Sequence, residues 1–483
     1  MGRDDSATPC PPMIGLADLT AIAWTARRHG GATREAVTAY QSDWLRRLVA
    51  HAYDNVPYYR ELFQRHRVDP RQIRSAEDLA RLPVTSKGDL RAARPEDLVA
   101  RGVDSTHLLV HSTSGSSGEP LVIRRTWLEE RAASAFRIRA LHEFGVRPWH
   151  RRVGVSLVRA HDPRDWNGPQ RLVRALGLYR KAMLDCRQPV ATLVRELTAL
   201  RPDVLIGFPG VIARIGRQLA GERPRPIHPR LVITAGEVLT PLLRRQIGES
   251  FQAPVFEMYS SHELGTIAWQ CPRAGTLHVA ADAVIVEVLK DGRRAEPGEA
   301  GEVVVTRLHA FAMPFIRYRL GDLVTQGDVR CGCGAPFSTI LTVQGRMLDY
   351  FPLVGGRLLH PYEVVAVVLE RAKPWLGQYQ LTQERADRIV LRVVPLTTPS
   401  AAEVAELEES VRAMLGPGIE FRALLVEDIS LEGNGKFRVS RSLVASDYDG
   451  LDWERRRADD LAAVREPDAG ASRPISNPRM NAS

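Results

Sequence analysis

Short apolar runs that alternate with helix-period segments constrain this chain most. Runs at 153–158, 204–208 and 231–235 are rich in β-branched residues, and segments at 190–200 and 211–220 have helical periodicity. Adjacent parallel strands cannot be joined by a tight turn; they need a long crossover, usually a helix that also covers the sheet. The alternation therefore predicts an α/β protein built on parallel strand units. From residue 283 the texture changes to closely spaced strands, AVIVEVL and then EPGEAGEVVVTRL, with Pro297-Gly298 and Gly301 marking a tight turn. This predicts a smaller, mostly antiparallel subdomain. After Gly345 a third pattern appears, with helices at 361–371 and 401–415 and strands near 388–394 and 420–426. It reads as a separate small α+β domain.

Upstream, residues 14–52 have helical periodicity with Trp44, Leu45, Leu48 and Val49 at core spacing, and 55–63 reads as a turn entering a short helix. The expected organisation is a large N-terminal α/β domain over 1–345, with mixed and parallel sheets, helices and the antiparallel subdomain. A C-terminal α+β domain follows over 346–445, then a polar tail over 446–483 that is predicted to be disordered.

Composition excludes several classes. No apolar run approaches the roughly 20 residues of a membrane span, and MGRDDSATPCPP lacks the pattern of a secretory signal, so a cytoplasmic protein with no membrane partner is expected. Five cysteines in 483 residues are too few for a disulfide framework. The net charge of +9 raises a nucleic-acid reading, which its distribution opposes. Lys87, Lys181, Lys290, Lys373 and Lys436 are the only lysines, and the arginines are scattered among acids without a basic run interleaved with aromatics. No nucleic-acid partner is expected.

Two distant segments carry chemistry. HSTSGSSGEP at 111–120 sets hydroxyls and glycines between apolar stretches; Gly115 and Gly118 permit tight turns, and Thr113, Ser114, Ser116 and Ser117 add donors, as a polyphosphate cradle requires. Taken alone it also fits an ordinary polar turn, and Glu119-Pro120-Leu121 rules out the nucleotide loop ending in GK[ST]. GNGKFR at 433–438 presents Lys436 on a glycine-flexed loop. A phosphate cradle plus a distant mobile lysine points to activation of a substrate with ATP.

A second constellation is Cys271 and His278 in QCPRAGTLH with Cys331 and Cys333 in CGCG. Three thiolates and an imidazole form a tetrahedral zinc set, and four protein ligands leave no open position for catalysis. Unligated core cysteines with a surface histidine are the alternative. Cys10 and Cys186 read as unpaired bystanders.

The order STSGSSGEP, TAGEVL (234–239), YSSHELG (259–265), RYRLGD (317–322), GRMLD (345–349) and GNGK (433–436) resembles the acyl-adenylate-forming enzymes. HAYDNVPYYRELF and DLARLPVTSKGDLR (78–91) resemble the phenylacetate–coenzyme A ligase branch in particular. The resemblance spans roughly residues 40–445 and extends to the Cys/His zinc pattern. It implies that Thr113, Ser114, Gly115, Ser116, Ser117 and Gly118 hold the β- and γ-phosphates. Gly236 and Glu237 form the adenine-binding turn, and Tyr259 packs its ring on the adenine. Glu263 holds magnesium, Asp322 accepts hydrogen bonds from the ribose hydroxyls, and Arg346 contacts the nucleotide beside the interdomain hinge. Lys436, with Glu263, neutralises charge in the adenylation step. The C-terminal domain then rotates about a hinge near 345–349 and admits the acceptor, usually the coenzyme A thiol.

Two departures stand out. The chain reads Tyr259-Ser260-Ser261-His262-Glu263 where the family has glycine after tyrosine and a small hydroxyl before glutamate. Ser260 thus narrows the acyl pocket, while His262 is placed to donate to the α-phosphate or to pack against substrate. Leu348 stands at the hinge where a polar residue is common, with Asp349 following. The resemblance implies an aryl or arylacetic acid bound near Phe208, Pro209, Gly236 and Ser260, and allows a homodimer. The acceptor stays open among coenzyme A, a carrier-protein thiol and an amine. A non-catalytic nucleotide-binding scaffold is a further reading, opposed by the joint presence of Glu263, Asp322, Arg346 and Lys436.

Overall fold

The N-terminal helical pattern resolves into two helices, Leu16–Arg28 and Arg34–Asn55, separated by the 3-10 turn His29–Gly31. Gly30-Gly31 is a poor helix continuation, and Thr33 starts the second helix by accepting the Ala36 N–H at 3.2 Å. Trp44, Leu45, Leu48 and Val49 are buried, as their spacing requires. Pro57 opens the next helix, Pro57–Arg65, where its missing N–H costs nothing. This computed structural model describes residues 14–112, 121–157, 177–219, 226–346, 351–359, 361–372, 374–429 and 439–444, with only the backbone at Ser112, Arg346, Gly356, Leu358, Tyr362 and Ala366. Residues 113–118, Leu348, Asp349, Lys436, Cys10 and the tail from 446 lie outside the described residues.

Strands β1 (Leu109–Ser112) and β2 (Val122–Arg125) pair antiparallel and flank the hydroxyl- and glycine-rich segment. Strands β3 (Arg152–Ser156), β4 (Lys181–Asp185), β5 (Val204–Gly207), β6 (Leu231–Ala235) and β7 (Val255–Ser261) lie parallel in the order β4-β3-β5-β6-β7. Helices Val190–Leu200, Pro209–Gln218 and Pro241–Phe251 connect them. Val153, Val155, Val204, Leu205, Val232 and Ile233 are all buried, because a parallel sheet is covered on both faces.

The antiparallel set is β8 (Gly265–Gln270), β9 (Leu277–Val279), β10 (Val284–Lys290), β11 (Arg293–Arg294), β12 (Ala300–Arg307), β13 (Tyr318–Gln326) and β14 (Thr339–Arg346). It prolongs the parallel strands in a single twelve-stranded sheet, because β8 folds back on β7 as a hairpin. Segment 78–91 packs on this half: Thr85 bridges Tyr318, and its hydroxyl donates to the Ile316 carbonyl at 3.0 Å.

Beyond a short pair, β15 (Phe351–Pro352) and β16 (Leu358–Leu359), comes a second sheet. Its strands are β17 (Gln378–Arg385), β18 (Arg388–Val394), β19 (Glu420–Leu425) and β20 (Ser440–Ser442), in the order β19-β18-β17-β20. Helices Pro361–Arg371 and Ala401–Leu415 complete this region, whose own core includes Trp375, Leu381, Leu391, Val411 and Phe421. Arg214 and Arg217 of helix Pro209–Gln218 reach across to it, pairing with Asp428 at 2.8 Å and with Gln378. Among the described residues no helix is long and apolar enough to cross a membrane.

Candidate active site

Three neighbouring parallel strands end together. Register sets Gly207 of β5 beside Thr234 of β6, and Ala235 of β6 beside Met258 of β7. The residues that follow, Phe208, Gly236 and Tyr259, therefore occupy the carboxyl edge, where open α/β sheets bind ligands. Gly236 turns the chain sharply off β6 at φ +81°, a conformation that strains any residue with a Cβ. Glu237 next to it accepts the Gly210 N–H at 3.0 Å. A carboxylate at a helix N-terminus is favoured by the exposed amides and the dipole, so this bond fixes the turn to the helix that begins with Pro209 and follows Phe208.

Tyr259 is buried, and its hydroxyl donates to Asp322 Oδ2 at 2.6 Å. Asp322 on β13 lies opposite Arg346 on β14. The fold thus brings Tyr259 to Asp322, opposite the Arg346 backbone, next to a bulge between Tyr259 and the half-buried Ser260 in the β7–β8 pairing.

The turn of that hairpin carries His262, Glu263 and Leu264. Ser261 Oγ accepts the Leu264 N–H at 3.1 Å, and Gly265 leaves the turn at φ +77°. The His262 side chain is exposed, whereas Glu263 is 8% exposed. Among the described residues its carboxylate has no hydrogen-bond or ion-pair partner.

Two arginines that sequence reasoning missed hold the turn from behind. Arg125, the last residue of β2, donates through Nη2 to the His262 carbonyl and to the Glu263 carbonyl, the latter at 3.1 Å. Arg307, the last residue of β12, donates to the same Glu263 carbonyl at 3.1 Å. Arg125 also pairs with Glu130 at 3.1 Å, and Glu130 lies 3.6 Å from His111 of β1. Burial works to raise the Glu130 carboxyl, but Arg125 outweighs it and holds the group below its usual range. Burial, with Arg125 adding repulsion, pulls Arg307 down to about 9. Glu129 is fully buried and accepts the Phe311 and Ala312 amides at 2.6 and 2.8 Å, which fixes the start of helix Trp127–Glu143 against the antiparallel half.

Away from this edge, Cys271, His278, Cys331 and Cys333 converge, their ligand atoms all within 4.8 Å of one another. Cys333 Sγ lies 3.4 Å from His278 Nε2. Backbone amides of Ala274 and Ala335 donate to the Cys271 and Cys333 sulfurs at 3.3 and 3.4 Å. Gly275 and Gly334, both at positive φ, close the two loops. The other imidazole nitrogen of His278 faces Glu143 at 3.7 Å, and Glu143 accepts the Trp269 indole N–H at 2.7 Å. A carboxylate set behind a histidine in this way is common at metal sites. Nothing in the sequence marks Glu143 for it, since the residue closes a helix more than a hundred positions from the cysteines. Cys186 is free and buried elsewhere, as expected of a bystander.

Turns at the carboxyl edge of the parallel strands, joined to an aspartate from the antiparallel half, define an enzyme of the acyl-adenylate-forming superfamily. The chain is 30% identical over 352 residues to the phenylacetate-coenzyme A ligase of Thermus thermophilus, covering 70% of this chain and 76% of that one. It belongs to the phenylacetate–coenzyme A ligase family. The Pseudomonas putida ligase of the same name is 26% identical over 404 residues, with 80% and 86% covered. No family model matches the chain. Among solved structures, 2-hydroxyisobutyryl-CoA ligase in the postadenylation state with R3-HIB-AMP shares the fold. Its TM-score is 0.71 at 23% identity, over 96% of this chain and 98% of that one. The same ligase with 2-HIB-AMP and CoA in the thioesterification state gives 0.58 at 24% identity, over 91% and 94%.

Proposed function

We propose that this enzyme uses ATP to convert a carboxylic acid into an acyl-adenylate, releasing pyrophosphate, and then transfers the acyl group to coenzyme A. The observation that carries the reading is the Tyr259–Asp322 hydrogen bond at the carboxyl edge, with the Glu263 carboxylate in the next turn. Tyr259 offers its ring to the adenine and Asp322 accepts from the ribose hydroxyls. The substrate carboxylate oxygen then attacks the α-phosphorus, and the bond to the β-phosphate breaks with its electron pair leaving on pyrophosphate. Residues 113–118 hold the outgoing phosphates, and the Lys436 ammonium neutralises charge as it builds. Glu263 would hold magnesium, which supplies charge neutralisation on the phosphates; a carboxylate oxygen is the kind of ligand a hard cation prefers.

The acid lies against Phe208, Pro209, Gly236 and Ser260, and the ligases named for phenylacetate favour an aryl or arylacetic acid. In the second step the thiol of coenzyme A attacks the acyl carbon and AMP departs. Region 346–445 moves between the steps about 345–349. This accords with the related ligase having postadenylation, open and thioesterification states. Cys271, His278, Cys331 and Cys333 would hold one structural zinc that ties β8 and β9 to the loop before β14. Ligation needs reduced thiols, in keeping with a cytoplasmic setting.

Acid-dependent pyrophosphate release across aryl, arylacetic and short hydroxy acids tests the reading, followed by thioester formation with coenzyme A. Folded, ATP-binding protein that releases no pyrophosphate with any of these acids would overturn it.

A further inference from the structure

Arg125 and Arg307 are 6% and 3% exposed, and both point at one acceptor, the Glu263 carbonyl, each at 3.1 Å. Two buried like charges on one neutral oxygen are an expensive arrangement. Arg125 is compensated by Glu130, whereas among the described residues Arg307 has no carboxylate within ion-pair distance. Its Nη2 has no partner among the described residues, and the residue lines a small cavity with Phe136, Leu264, Thr266 and His309. Neither arginine reaches the carboxyl edge through its own side chain; both act on the backbone of the His262–Glu263 turn.

The geometry has two consequences. A trans peptide points its C=O and N–H in opposite directions, so Arg125 at the His262 carbonyl turns the Glu263 N–H away from itself. The Leu264 N–H is taken by Ser261 Oγ. Both peptide planes of the turn are thereby fixed, and with them the direction of the Glu263 side chain. Arg125 also terminates β2, which leads directly out of 113–120, and through Glu130 it is linked to His111 of β1. One guanidinium therefore connects the strand pair that carries the phosphate loop to the turn that carries Glu263.

We propose that Arg125 and Arg307 are positioning residues for adenylation: they clamp the two turn carbonyls and hold the Glu263 carboxylate in register with the strand pair flanking 113–120. The proposal rests on the reading of Glu263 as the residue that meets the magnesium of ATP. Arg307 contributes fixed positive charge behind the turn as well as a hydrogen bond, so a lysine in its place keeps most of the effect and a glutamine little of it.

The test uses full-length Arg307→Gln, Arg307→Lys and Arg125→Lys, with Glu263→Gln as reference. Three readouts are needed: Mn2+–ATP binding followed by electron paramagnetic resonance without acid, the Mg2+ dependence of acid-dependent pyrophosphate exchange, and acyl transfer to coenzyme A from preformed adenylate. Arg307→Gln is expected to weaken Mn2+–ATP binding, raise the half-saturating Mg2+ concentration and slow adenylation about tenfold or more. Acyl transfer should change less than about threefold, and Arg307→Lys should recover most of the loss. If Arg307→Gln does not fold, the same comparison is made with the two lysine variants. Folded variants with unchanged Mn2+–ATP binding and Mg2+ dependence, while Glu263→Gln loses both, overturn the clamp and leave the reading of Glu263 standing. Unchanged metal–nucleotide binding in Glu263→Gln overturns that reading, and the clamp with it.

Discussion

The hydroxyl of Tyr259 donates to the carboxylate of Asp322 at 2.6 Å, joining β7 at the end of the parallel strands to β13 in the antiparallel half. Two residues expected to serve different parts of one nucleotide, the adenine and the ribose, are therefore positioned by each other. Tyr259→Phe keeps the ring and deletes the donor to a charged acceptor, a bond worth roughly 1.5–3 kcal/mol. The KM for ATP in pyrophosphate exchange should rise several-fold with a smaller change in kcat, because Asp322 loses its fixed orientation. An unchanged KM would show that Asp322 is oriented without Tyr259.

Lys436 lies outside the described residues, and its role is tested by separating the half-reactions. Lys436→Ala should slow adenylate formation by about 100-fold, the scale of a lost charge stabiliser. Transfer from preformed adenylate to coenzyme A should be much less affected. Equal loss in both steps would remove the lysine from adenylation.

The Cys271, His278, Cys331 and Cys333 cluster should bring about one zinc per chain through purification. Cys331→Ser should lower the zinc content and the melting temperature, because the ion would join the β8–β9 connection and strand β9 to the connection before β14. Metal analysis that finds no zinc in protein never exposed to chelator would refute the site.

His309 supplies a pH test. It is buried among Trp44, Phe136 and Tyr40, with the Tyr40 hydroxyl 3.1 Å from its Nε2. Burial, helped by Arg307, pushes it down to about 3, despite opposition from Asp282. Between that value and about 6.5 the unfolded chain binds the proton and the folded chain does not. Its contribution to stability is therefore full above about pH 6.5 and is lost as pH falls toward 3, at up to about 1.4 kcal/mol per pH unit. His309→Gln should flatten the slope of stability between pH 6.5 and 4.5 in denaturant titrations, whatever its effect on absolute stability. An identical slope would assign the acid sensitivity to other groups.

Much of the architecture was legible because it is encoded locally. The helix Ala401–Leu415 begins at Ser400, which forms a reciprocal capping box with Glu403, and ends before Gly416 at φ +84°. Such signals lie within a few residues of one another, as do the period-2 and period-3.6 patterns that gave the strands and crossover helices. The motif order singled out Gly236, Tyr259, Glu263 and Asp322, and the Cys271, His278, Cys331 and Cys333 that the sequence grouped do converge.

The continuity of the twelve-stranded sheet was not legible, since a strand sequence does not name its neighbour across a hairpin at a domain's middle. Nor were the partners that organise the site. Arg125 and Arg307 contact Glu263 from 138 and 44 residues away, and they do so through its backbone carbonyl. Every residue offers that acceptor, so the contact leaves no mark on the residue type at 263, and the donors are two among many scattered arginines. Glu143, set behind His278 across 135 positions by the meeting of a helix end with β8 and β9, is another case. By itself the sequence determined the elements and the chemical groups. Only the tertiary structure decided which buried charge faces which carbonyl or imidazole, because those distances are set by packing between elements and not by spacing along the chain.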